Sequence, residues 1–181
     1  MTLQNGLVHG RKAYLWADTA IWDGTTGEIA CYDTKAFQGL HWPFCGIIAC
    51  YGRNPHDLAK AIGYADPSNL SDLLFKARNA LIGYCADGST GRLLLASYED
   101  GAHLHLIASD DVGFAAPFEA VEVDHYVSSG NDSTAYKMAM KRGFTAKRMS
   151  KVIDAQIAQP FTGAGMATEL GNRVWIGGNV V

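Results

Sequence analysis

Two short runs of strand-forming residues, Leu3 to Val8 and Ala13 to Ala17, stand on either side of Gly10-Arg11, and this spacing constrains the chain more than any other feature in it. A two-residue connection with glycine at its first central position suits a type II′ turn, whose backbone twist matches that of the strands it joins. The chain is therefore predicted to open with an antiparallel hairpin. In that hairpin residue 18, at the end of the second strand, returns beside residue 2.

With 181 residues, 48% of them hydrophobic and 18% charged, the chain has the profile of one domain spanning 1–181 that closes its own core. Fifteen Lys and Arg against 18 Asp and Glu give a formal charge of -3, which excludes the global basic field used by nucleic-acid binders. The apolar stretches, such as Cys45 to Tyr51, fall short of the ~20 residues needed to cross a bilayer, and no leader-like segment precedes the first strand. Cys31, Cys45, Cys50 and Cys85 lack C-x-x-C spacing and fit a reduced, cytoplasmic protein. Neither nucleic acid nor a membrane is an expected partner.

Residues 19 to 34 read as a polar segment, and Cys45 to Cys50 as a buried, central strand ending at Gly52. Asn54-Pro55 starts a helix with Leu58, Ala61, Ile62 and Ala65 on one face, stopped by Pro67; Ser68 or Asn69 caps a second with Leu70, Leu73, Leu74 and Ala77. Leu81 to Ala86, Arg92 to Ser97 and Ala102 to Ile107 are expected to form a meander with turns at Asp87-Gly88 and Asp100-Gly101. Val121 to Val127 reads as one further strand. Asn131 or Asp132 then caps a helix ending at Gly143, Thr145 caps another reaching Ile157, and Arg173 to Gly177 is a last strand. Strand groups alternating with helix pairs predict an α+β fold, with two antiparallel sheets face to face and helices on the outer faces.

Charge is unevenly distributed. Residues 96 to 124 carry seven acidic residues and no basic one, and 131 to 154 carry six basic and two acidic. These segments read either as two solvated faces or as complementary surfaces that pair between subunits in a ring.

Thr2 follows Met1, and a methionine before a small residue is a common substrate for aminopeptidase trimming. Removal would leave threonine with a free α-amine, whose reference pKa of about 7.7–8.0 lets it take the proton of the same residue's hydroxyl. One residue then supplies both nucleophile and base. Asp18, where the hairpin returns, and Lys35, beyond the polar segment, are the candidates to support it. A lysine ammonium beside the α-amine disfavours the protonated amine and stabilises an alkoxide, and Asp18 would hold Lys35 charged and oriented. Taken singly, each has an ordinary use: Thr2 to lead a strand, Asp18 to start a turn, Lys35 to face solvent.

Together these residues resemble the proteasome β-type and bacterial HslV-type peptidases, which are N-terminal-nucleophile hydrolases, and the resemblance runs over nearly the whole chain. In that family an N-terminal Thr leads a hairpin whose second strand ends in a site Asp, and a Lys follows about fifteen residues later. Thr2, Asp18 and Lys35 stand in that layout. The resemblance implies a four-layer αββα sandwich. It also gives Gly52, after Cys50-Tyr51, the role of the backbone N–H that faces the developing oxyanion. Tyr126-Val127-Ser128-Ser129-Gly130 before a capped helix looks like the family's Gly-Ser-Gly segment, with Ser129 matching the serine near the terminal amine and Ser128 as the one-residue alternative. Gln159-Pro160-Phe161-Thr162-Gly163 resembles Asp-Ala-Tyr-Ser-Gly, whose Asp and Ser support the nucleophile. Thr162 keeps the hydroxyl, but Gln159 replaces a fixed negative charge by a neutral amide.

The resemblance implies a threonine endopeptidase acting on peptides or unfolded protein inside a homo-oligomeric ring, with an ATP-dependent unfoldase as a candidate partner and no cofactor or metal. Two other functions fit the same residues: a non-catalytic scaffold of the same fold, favoured if Met1 is retained, and an amidase acting on a small amide. His103 and His105 share a strand face but have no clear third ligand, so they read as a polar face rather than a metal site. Cys45 and Cys50 read as small buried hydrophobes.

Overall fold

The leading hairpin forms as the spacing dictates. In the computed structural model, which describes residues 3–157 other than Thr19, Gly24, Gly27, Thr34 and Arg53, and beyond them 160–161, 165–166 and 170–177, β1 (Gln4–His9) pairs with β2 (Lys12–Asp18). The register runs from Gln4 opposite Ala17 to His9 opposite Lys12. Gly10 takes a φ of +64° while Arg11 stays out of the left-handed region, the sign pattern of a type II′ turn.

The segment expected to be a polar loop holds a two-stranded ribbon, β3 (Ala20–Trp22) with β4 (Ile29–Tyr32). Next come β5 (Ala36–Gln38) and β6 (Phe44–Tyr51), then α1 (Pro55–Gly63), whose N-cap Asn54 accepts from His56 N–H. This helix ends at Gly63, ahead of Pro67, and it buries Leu58 and Ile62 while Ala61 is exposed. Of the two candidate caps for α2 (Leu70–Tyr84), Asn69 is the one that serves, accepting from Asp72 N–H.

Two expectations are corrected here. Leu81 to Ala86 is not a strand: α2 runs on through Tyr84 into a 3-10 turn at Cys85–Asp87, burying Leu73, Ala77, Leu81 and Tyr84 on one helical face. Gly83, on the exposed side of the helix, does not interrupt that spacing before Asp87-Gly88. The meander therefore contains β7 (Thr90–Tyr98) and β8 (Ala102–Ala108), with β6 in place of the third strand. Val121 to Val127 divides into β9 (Ala120–Glu122), beside β8, and β10 (His125–Val127), beside β1, so the chain changes sheets at Val123-Asp124.

After the change of sheet come α3 (Thr134–Arg142), capped by Ser133 rather than by Asn131 or Asp132, and α4 (Ala146–Ile157), whose first turn is met by the Thr145 hydroxyl. Beyond them lie the short pair β11 (Pro160–Phe161) and β12 (Gly165–Met166), and β13 (Leu170–Gly177), which pairs with β2. The fold is α+β. Its two larger antiparallel sheets have the orders β10-β1-β2-β13 and β5-β6-β7-β8-β9.

Alternation along the strands divides the core into three clusters. Leu15 and Ala17 of β2 meet Ile47, Leu94, Leu104 and Leu106 of the five-stranded sheet. The opposite face of that sheet, with Ile48, Leu93, Leu95 and Ile107, receives Leu58 and Ile62 of α1 and Leu73, Ala77 and Leu81 of α2. On the other side Leu7 and Trp16 pack against Ala139 of α3 and Met149, Val152 and Ile153 of α4. No helix among the described residues is long and apolar enough to cross a membrane.

Candidate functional site

Asp18 and Lys35 meet. Asp18 ends β2 inside the four-stranded sheet, and Lys35 immediately precedes β5, where its carbonyl accepts from Ile48 N–H of β6 at 3.0 Å. The Lys35 Nζ donates to Asp18 Oδ2 at 2.8 Å, with both side chains shut away from water at 4% and 1% exposure. The second carboxylate oxygen, Oδ1, accepts from the Leu3 backbone N–H at 2.8 Å. Asp18 thus ties a buried ammonium to the residue that follows Thr2. Burial lowers the Lys35 pKa below its ordinary value, opposed by the charge and hydrogen bond of Asp18.

The 128–129 loop closes on the same strand end. Gln4 N–H donates to Ser128 Oγ at 3.0 Å, and Ser128 N–H returns a bond to Gln4 O at 3.1 Å. The hydroxyl that meets the leading strand is therefore that of Ser128, while Ser129 contributes its carbonyl, which accepts from Gln156 Nε2 at 2.7 Å. The Gln4 side chain points the other way, donating to Ile47 O and Arg92 O and so linking the two sheets.

Gly52 follows β6 with a φ of +108°, and a Cβ there would lie 2.6 Å from Ser89 Oγ. Backbone conformation and this close approach both require glycine at the position. Met1, Thr2, Gln159 and Thr162 lie outside the described residues.

Beside the Ser128–Gln4 contact, a cavity of about 330 Å³ opens between Gln4, Tyr126 and Ser128 on one side and Cys50, Arg92 and Asp110 on the other. Asp110 accepts from both Nε and Nη2 of Arg92, and this pairing holds its carboxyl below the usual range. The Cys50 thiol is pushed up by burial, against a hydrogen bond with Tyr84 and the charge of Lys35. Burial alone raises Cys45 to about 12, so neither residue is a ready thiolate.

His103 and His105 are not arranged around a metal: among the described residues no group of three or more His, Cys, Asp or Glu could hold one. His103 bonds Glu122 Oε1 at 2.8 Å and the Glu99 carbonyl at 2.9 Å, and the contact with Glu122 raises its pKa. Burial lowers that of His105.

Asn5 and Gln156 were missed by the sequence reading, although both lie in the network around the site. They occupy positions where the buried periodicity is broken by an amide: Asn5 between Leu3 and Leu7 on β1, and Gln156 one step after Met149, Val152 and Ile153 on α4. That substitution of polar for apolar was the available signal. No protein-family model matches the chain, and no curated protein matches it in sequence.

Proposed function

We propose that this chain is a threonine-type peptidase of the proteasome β-type and HslV-type kind, an N-terminal-nucleophile hydrolase in which two sheets and their covering helices make a four-layer αββα sandwich. The observation that carries the reading is the division of Asp18 between the Leu3 backbone and the buried Lys35 ammonium. A solvent-facing lysine and a turn-starting aspartate have no reason to be sequestered together, since burying two charges costs several kcal/mol unless a specific arrangement offsets it. A buried ammonium beside the start of the first strand is what a self-activating N-terminal threonine needs.

In this mechanism removal of Met1 frees the α-amine of Thr2. The Thr2 Oγ bonds to the substrate carbonyl carbon while its proton passes to that amine, and the N–H of Gly52 stabilises the oxyanion. The C–N bond then breaks as the amine's new proton moves to the leaving nitrogen. The resulting ester is attacked by water, which gives its proton to the amine, and the acid product leaves with Thr2 regenerated. Lys35 keeps the amine in its basic form by like-charge repulsion. These steps draw on no cofactor. Substrates would be peptides or unfolded protein. The acidic 96–124 and basic 131–154 segments support a homo-oligomeric ring, onto which an ATP-dependent unfoldase would deliver chains.

The test is cleavage of an unfolded peptide by protein whose intact mass shows loss of Met1. Thr2→Ala is expected to lower kcat/KM by about three orders of magnitude or more with assembly unchanged. Equal activity in the variant would remove the assignment.

A further inference from the structure

Asn5 and Gln156 form a reciprocal amide pair in an otherwise apolar layer. Asn5 Nδ2 donates to Gln156 Oε1 at 2.9 Å, Gln156 Nε2 donates back to Asn5 Oδ1 at 3.0 Å, and the other N–H of Gln156 reaches Ser129 O at 2.7 Å. Both side chains are buried, at 0% and 1% exposure. They lie on the helix-facing side of β1, where Leu7 and Trp16 meet Met149, Val152 and Ile153.

Stability does not call for amides here. Each loses its water and regains hydrogen bonds only if the partner sits in one geometry, whereas a pair of aliphatic side chains would fill the layer without that condition. What the amides add is a unique register: a slip of α4 against β1 breaks all three bonds at once. The same register governs the site, because residues 3, 4 and 5 are each held by a different segment. Asp18 holds Leu3, Ser128 holds Gln4, and Gln156 holds Asn5 while also fixing the carbonyl of Ser129.

We propose that Asn5 and Gln156 are positioning residues: their amide pair clamps the strand that follows the nucleophile, and the Ser128–Ser129 loop, to the last turn of α4. This inference rests on the reading of Thr2 as nucleophile. The clamp sets alignment and leaves protonation alone. Its loss therefore lowers turnover and leaves the pH midpoint of kcat where it was.

The experiment compares the full chain with Asn5→Leu/Gln156→Leu and with the length exchange Asn5→Gln/Gln156→Asn, reading hydrogen exchange, thermal unfolding and peptide cleavage. In the leucine pair the amides of Gln4 and Ser128 should exchange at least about tenfold faster while the protein stays folded. Its kcat should fall about tenfold or more with KM within about twofold, and the length exchange should restore much of both. Unchanged exchange at Gln4 and Ser128, or kcat within about twofold of wild type in the folded leucine pair, overturns the clamp. Should the leucine pair not fold, Gln156→Met keeps the length, removes the donors to both Asn5 Oδ1 and Ser129 O without adding a charge, and is read the same way. A wild-type protein that cleaves no peptide sinks the peptidase reading instead, and the exchange rates still decide the clamp.

Discussion

Asp18 divides its carboxylate between the Leu3 N–H and the Lys35 ammonium, and neither partner has water to fall back on. Lys35→Met would leave the carboxylate buried without a countercharge, a loss of about 3–5 kcal/mol in urea unfolding. Lys35→Met/Asp18→Asn should cost clearly less than the single change, because the amide still accepts from Leu3 and no charge is stranded. A single-variant cost below about 1 kcal/mol would mean the pair is solvated. The residue types and spacing of Asp18 and Lys35 were legible in the sequence, and so was the hairpin that returns Asp18 to the chain start. Their pairing was expected only as part of the proposed site; local pattern alone also allowed a solvent-facing lysine, because Lys35 is brought in by the pairing of β5 with β6. For Asn5 and Gln156 the break in the apolar pattern is local and visible, but what each amide bonds to is not, because its partner lies 151 positions away.

Helix α2 shows how a short apolar run misleads. Leu81 to Ala86 fits a strand by composition, but Leu81 and Tyr84 continue the buried stripe begun at Leu73 and Ala77, and Ile82 faces outward at 41% exposure. The helical assignment predicts that Leu81→Ala costs about 2–5 kcal/mol and that Ile82→Ala stays within about 0.5 kcal/mol. Denaturant titration of both variants checks this, and comparable costs at the two positions would contradict it. The division of Val121 to Val127 into β9 and β10 was equally hidden. Each half is strand-like, and only the stacking of two sheets decides that one half pairs with β8 and the other with β1. Caps and turns, set by neighbours within a few residues, were read more successfully, as at Gly10, Asn54 and Gly143.

That the fold is α+β with two antiparallel sheets followed from the order of elements, because each amphipathic face has few ways to be covered. Assembly is a different matter, since it depends on surfaces that no intrachain contact constrains. If the acidic 96–124 segment of one copy meets the basic α3–α4 segment of the next, the assembly should be sensitive to salt. Raising ionic strength from about 0.1 M to 1 M shortens the screening length from about 10 Å to about 3 Å. Light scattering should then show the oligomer dissociating, whereas a monomer at every salt concentration would argue against the ring. The central claim, that residue 2 is the nucleophile, is tested most directly by trapping the acyl group. The protein is mixed briefly with excess activated peptide ester, quenched in acid, and mapped by tandem mass spectrometry. One acyl group per chain on Thr2, in molecules lacking Met1, is the predicted result, with none on Thr2→Ala. A chain that keeps Met1 and acquires no adduct, or carries it on another side chain, would contradict it.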